Sequence, residues 1–236
     1  ATTLRHIAPI SDSLPAFLAG MNEVTTTMLP YVTSIEWSPK YVVLSVRYRT
    51  PSATSEYAEV LDRLTGQLVH SERLYIDEAT VSDDALFYRG IYRELRRTDL
   101  PAGISRWVTY WPSGNGLSGV FVVDSQVYAF NNDQRVYHYE PISGSVVATA
   151  TIKGSPNQGD VLIQNGTAIF RSWYGFEGVT SFDFSTFTTN WMTRISTPSN
   201  GYAANAFWGD GPSMSLTPDS IYLFDAQDNL WRLDLA

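Results

Sequence analysis

The chain has no cysteine among its 236 residues. That excludes disulfides, thiolate metal sites and cysteine nucleophiles. Histidine is scarce: His6, His70 and His138 are the full set of 3, and no HxH or HExxH spacing joins them. No metal is therefore expected. Positive charge is thin, with 16 Lys and Arg against 24 Asp and Glu and a net charge of −8. The only basic cluster is Arg93, Arg96 and Arg97, so a nucleic-acid partner is not expected. No apolar run is long enough for a membrane-spanning helix, and no signal-like segment opens the chain. A start at Ala1 fits either removal of an initiator Met or cleavage of a leader. There is no GxSxG elbow, phosphate-cradling glycine loop or GxGxxG, and no cofactor is expected.

What the chain does have is strands and repetition. Hydrophobic residues make up 44% and aromatics 14%, enough for a sizeable core and favourable to pleated packing. The stretch Gln126–Ile152 reads as three strands in succession, and Ile221–Asp234 aligns without gaps on Val127–Glu140. Tight turns recur between apolar runs at Ser38-Pro39, Asp83-Asp84, Asp124-Ser125, Asn165-Gly166 and Pro218-Asp219. Their spacing of roughly 41 to 53 residues is the period of a four-stranded propeller blade.

Those turns predict an all-β chain, a five-bladed β-propeller of four-stranded antiparallel blades forming one domain over 1–236. Blade one takes Thr33–Trp37, Tyr41–Arg49, Glu56–Asp62 and Leu68–Leu74. Blade two takes Ala79–Ser82, Ala85–Tyr88, Ile91–Arg96 and Ser105–Tyr110. Blade three takes Val120–Val123, Val127–Phe130, Val136–Tyr139 and Val146–Ile152. Blade four takes Val161–Ile163, Ala168–Trp173, Val179–Phe184 and Asn190–Ile195. Blade five has three strands, Ser213–Leu216, Ile221–Phe224 and Leu230–Leu235, and the N-terminal Leu4–Ile7 is expected to supply its fourth. Residues 8–31 stand outside the repeats, with a short helix expected over Leu14–Glu23. An irregular β-sandwich is the alternative architecture.

Within Leu61–Val69, an Asp-x-x-Thr-Gly corner resembles the C-to-D strand turn of quinoprotein-like and WD-like repeat propellers. Glu140–Gly144 echoes it, and Asp183–Phe187 and Asp234 keep its acidic position. The resemblance covers the repeat unit and implies the fold. Complete WD signatures and the tryptophan docking motifs of dehydrogenase propellers are missing, so no quinone cofactor is implied. The corner is expected to hold Gly66 at positive φ, with Asp62 accepting bonds from the turn backbone.

The blade count resembles that of five-bladed glycoside hydrolases, which would imply paired carboxylates near the axis. Glu36, Asp77, Glu78, Asp160, Glu177 and Asp210 are the candidates; the remaining acids sit mostly in turns, where they have a turn-forming role. His6, His70 and His138 are expected to be solvent-facing strand residues. Loop aromatics carry more information. In a propeller the B–C and D–A loops share one face, and here they hold Trp111, Trp173, Tyr174, Phe176, Tyr202, Phe207 and Trp208. The A–B and C–D turns, on the other face, look short, polar and inert. Exposed rings anchor protein partners and stack on sugars alike; packed inward, they would plug the channel or cap the core. The composition favours a non-catalytic binding or assembly module, such as an attachment component of a phage virion, placed outside cells or on a particle. A carbohydrate-binding lectin is the alternative, and a hydrolase a third.

Overall fold

A computed structural model of the chain describes residues 29–49, 54–74, 79–90, 94–110, 117–154, 156, 161–172, 178–194, 214–216, 220–224 and 230–234. All of the regular structure in this set is β-strand. The expected strand Leu4–Ile7 and helix Leu14–Glu23 lie outside the described residues.

The chain divides into two compact units, one of Ala1–Trp111 with Ile142–Gly144, the other of Pro112–Pro141 with Ser145–Ala236. In the first unit, β1 (Leu29–Trp37), β2 (Tyr41–Arg49), β3 (Thr54–Asp62) and β4 (Leu68–Leu74) form an antiparallel meander. A second meander contains β5 (Ala79–Val81), β6 (Ala85–Arg89), β7 (Glu94–Asp99) and β8 (Ile104–Tyr110). In the second unit the same order recurs. Its sheets are β9 (Leu117–Val123) to β12 (Val146–Thr151) through β10 (Gln126–Asn131) and β11 (Arg135–Tyr139), and β13 (Val161–Gln164) to β16 (Thr188–Arg194) through β14 (Thr167–Ser172) and β15 (Gly178–Asp183). A three-stranded sheet follows: β17 (Met214–Leu216), β18 (Ser220–Phe224) and β19 (Leu230–Asp234). Four sheets are thus complete four-stranded blades, and the fifth shows three strands among the described residues.

Burial explains why these segments are strands. Middle strands are covered on both faces, so β6 and β10 read as near-continuous buried runs, whereas outer strands such as β12 alternate or stay exposed. Between the first two sheets Tyr41, Val43, Ala58, Val60 and Leu74 meet Ala79, Val81, Leu86, Tyr88 and Leu100. Between sheets β9–β12 and β13–β16 the filling is aromatic: Phe121, Tyr128 and Phe130 pack with Phe170, Phe182 and Phe184. Phe130 stands edge-on to Phe170 at 5.4 Å between centroids. Edge-to-face pairs of this kind add to plain area burial.

Two kinds of A–B turn connect the inner strands. Asp124-Ser125 (φ 49° and 62°) and Asn165-Gly166 (φ 49° and 72°) have the successive positive φ of a type I′ hairpin. At Ser38 and Ser82 the hydroxyl accepts from backbone instead: Tyr41 N–H at 3.0 Å and Ala85 N–H at 3.1 Å.

Three strands depart from expectation by three residues or more. β1 begins at Leu29 rather than Thr33, inside the segment 8–31 expected to stand outside the repeats, and β9 begins at Leu117 rather than Val120. The third strand of the second sheet is Glu94–Asp99 rather than Ile91–Arg96, three residues later. The segment ELRRTD looks solvent-facing because it is charged, yet Arg97 is only 7% exposed. Its guanidinium is paired with Asp84 and Asp99, each at 2.9 Å, and lies over the Phe87 ring at 5.7 Å. A buried arginine neutralised in this way carries no apolar signal.

Candidate interaction site

Each of the seven aromatic candidates lies outside the described residues: Trp111, Trp173, Tyr174, Phe176, Tyr202, Phe207 and Trp208. The strands around them are described. Trp111 directly follows β8, Trp173 to Phe176 fall between β14 and β15, and the other three fall between β16 and β17. These are D–A and B–C connections of their own sheets. Tyr110, the last residue of β8, extends the set: its side chain is 64% exposed, and its hydroxyl donates to Glu94 Oε1 at 3.2 Å.

Of the carboxylate candidates, Asp77, Glu78, Asp160, Glu177 and Asp210 also lie outside the described residues. Glu36 is on β1 opposite Val43 and is half-buried. Desolvation lifts its carboxyl to about 7, so it exchanges protons near neutrality. Among the described residues no cluster of three or more His, Asp or Glu is placed to hold a metal ion.

His70 and His138 are not the free surface groups expected, and His6 lies outside the described residues. His138 is half-buried and stacks on Tyr128 at 4.8 Å, with Nε2 2.9 Å from Gln126 Oε1. Burial lowers its pKa, which favours the neutral imidazole. His70 is also half-buried, with Nε2 3.4 Å from Glu72 Oε2. A flat ring on a strand face packs well, and that outweighs a side chain's average polarity.

The C–D corners are held by local polar bonds. Gly66 has φ 71°, and Asp62 Oδ1 accepts from Leu64 N–H, Thr65 N–H and Thr65 Oγ1 at 3.0, 2.8 and 3.0 Å. Those bonds hold the Asp62 carboxyl below its ordinary value, the Thr65 N–H contributing most. The corner Glu140–Gly144 ends on φ 72°, and Asp183–Phe187 ends on a phenylalanine at φ 56°. A fourth instance, Asp99–Gly103 with φ 66° at Gly103, went unseen in the sequence. Its acid lies within the charged run ELRRTD, three residues past the expected strand end at Arg96. Arg106, and after it Arg97, holds the Asp99 carboxyl low.

Three of the four corners also fit a ring. The residue two before the corner acid pairs across to the outer strand: Val60 with His70, Arg97 with Trp107, His138 with Ala148. Within the first unit, Gly103 lies against His70 and Gly144 against Trp107. The fourth such pair is Ser181 with Trp191. Between sheets β9–β12 and β13–β16 the sizes are exchanged. The outer-strand position is the small Ala148, and Phe187 brings a ring instead, 6.2 Å from both Tyr128 and His138 and 5.4 Å from Phe182. Contrary to the sequence-based expectation, the corners are not wholly polar: Leu64 is 93% exposed and Ile142 72%.

The repeated four-stranded antiparallel blades are those of a β-propeller. No protein-family model matches the sequence, and no curated protein matches it significantly. Among solved structures, it is similar to BamB from Moraxella catarrhalis, a β-propeller, with TM-score 0.54 and 15% identity over 86% of this chain. The chain spans 58% of the length of that BamB chain. A computationally designed protein, Ika8, gives TM-score 0.54 at 10% identity, over 86% of this chain and 71% of its own. At these identities the likeness establishes the fold. No helix among the described residues is long and apolar enough to cross a membrane.

Proposed function

We propose that the chain is a non-catalytic propeller that binds another protein through its B–C and D–A loops. What supports this reading is the strand order: by sequence position the seven aromatic candidates fall in connections that follow an outer strand or join a second strand to a third. In a propeller such loops emerge on one face, and clustered rings there form an anchor surface. The likeness to BamB-type propellers favours a protein partner as the fold's ordinary use. The finer architecture belongs to the same proposal: five blades in a single domain, closed by Leu4–Ile7 pairing along the three-stranded sheet. A role as an attachment component of a larger particle, such as a phage virion, suits the acidic, cysteine-free composition.

Carbohydrate is the second reading, because the same rings could stack on sugars. One comparison separates the two. Wild type, Trp173→Ala and Trp208→Ala are cross-linked to assembly partners and, in parallel, applied to a glycan array. Loss of protein cross-links from loop residues in both variants, with unchanged melting temperature, supports the proposal. Glycan signal lost in both variants would move the assignment to a lectin. Variants that melt early yet keep full binding would mark the rings as core and refute the aromatic face.

A further inference from the structure

Outer strands of blades are sheet edges, and natural edges usually carry charge that discourages pairing with other chains. Three of the four complete sheets here follow that rule. β4 has Glu72 and Arg73, β8 has Arg106 and β16 has Arg194. β12 is the exception: Val-Val-Ala-Thr-Ala-Thr contains no charge, no proline and no glycine. It is also open. Val146 is 45% and Val147 58% exposed, and Thr149 and Thr151 are exposed as well. One side of β12 pairs with β11, and the other has no strand partner among the described residues. A bulge at Val147 interrupts the strand near its start, so alternate N–H and C=O groups point outward from the neutral stretch Ala148–Thr151.

The charges bracketing this edge say what fits it. At the Val146 end, Glu140 donates its N–H to Ser145 O at 2.9 Å. At the other end Arg135 pairs with Thr151, and Lys153 follows two residues on. The edge is thus acidic at its start and basic at its finish. We propose that β12 pairs antiparallel with β12 of a second copy, forming an isologous two-fold dimer. Antiparallel pairing lays the acidic end of each copy on the basic end of the other. A two-fold perpendicular to the sheet keeps equivalent side chains on one face and so pairs residues of equal parity. Centred on Thr149, in the regular stretch of β12 beyond a bulge at Val147, it sets Thr149 opposite Thr149 and Ala148 opposite Ala150. Cross-strand Thr–Thr and β-branched pairs are favourable. With a net charge of −8, two copies repel over most surfaces, and a charge-free strand with complementary ends is where they can meet.

Sedimentation equilibrium tests this with the whole chain as wild type, Thr149→Lys, Thr149→Glu and an equal mixture of the two variants. Thr149 is exposed, so each variant should melt with wild type. Wild type is expected at twice the 26.4 kDa of one chain, each variant at the single-chain mass because like charges face each other, and the mixture back at the doubled mass. If Thr149→Lys fails to fold, Thr149→Arg, at the same exposed and self-facing position, takes its place. A wild type that stays single at all concentrations overturns the proposal. So does a lysine variant that keeps the doubled mass, or a mixture that stays single.

Discussion

Gly144 lies flat against the indole of Trp107: a β-carbon built on it would come 2.6 Å from Cδ2. Real β-carbons do not tolerate that distance, and the positive φ of 72° adds strain of its own. Gly66 shares the conformation, at 71°, but has nothing within 4 Å of the same position. The two glycines therefore separate backbone strain from packing.

Gly66→Ala should cost about 1 kcal/mol, the price of a left-handed residue alone. Gly144→Ala should cost roughly 2–4 kcal/mol, because the indole must also shift. Urea unfolding of both variants measures the difference. Equal losses would mean that Trp107 yields freely and that the contact adds nothing.

Phe187 inverts the usual ranking of alanine over glycine. Phe187→Ala keeps the strained backbone at φ 56° and discards a ring packed on Tyr128, His138 and Phe182, for an expected loss of roughly 2–3 kcal/mol. Phe187→Gly loses the same ring but releases the strain, so it should be about 1 kcal/mol the more stable of the two. Chemical denaturation of the pair decides it. An alanine variant at least as stable as the glycine variant would show that the backbone there relaxes without cost.

Glu36 sets a pH dependence of defined sign. Its folded-state value of about 7 is above the ordinary 4.5, so the folded chain holds this proton longer than the unfolded chain does. Stability contributed by the protonated form is complete below 4.5 and is lost as pH rises from 4.5 towards 7. Glu36→Gln should abolish that decline and be more stable than wild type at pH 8, by at most about 3 kcal/mol. Thermal melts across pH 4 to 8 test it. Parallel profiles for the two proteins would show that the carboxyl is well solvated in the folded state.

Closure by the N-terminal strand predicts that deleting residues 1–8 exposes an unpaired edge along the three-stranded sheet. The melting temperature should fall by at least about 5 °C. An unchanged value would mean that the last sheet finds its fourth strand elsewhere or does without one.

Much of the architecture was legible because hairpin chemistry is local. Asp124-Ser125 and Asn165-Gly166 announce tight turns by residue type, and strands β2 and β4 match their expected bounds, Tyr41–Arg49 and Leu68–Leu74. Long-range compensation was not legible. Arg97 looks exposed until Asp84, 13 positions away, supplies its counter-charge. Nothing in the sequence ties Gly144 to Trp107, or Phe187 to His138, because the fit depends on which corner meets which outer strand. Glu36 could be nominated as an acid, but its shifted proton affinity comes from burial.

The exchange of ring and glycine between corners has a consequence for how such a chain can change. Trp107 accepts a corner ending on glycine, whereas His138, which pairs with the small Ala148, meets a corner ending on Phe187. A duplicated or transposed blade would arrive with the wrong half of the fit, two rings colliding or a gap left between two small residues. Side-chain size thus acts as an address that each blade presents to the next. An alteration to one half would persist only with a matching alteration some 40 residues away, about one blade length.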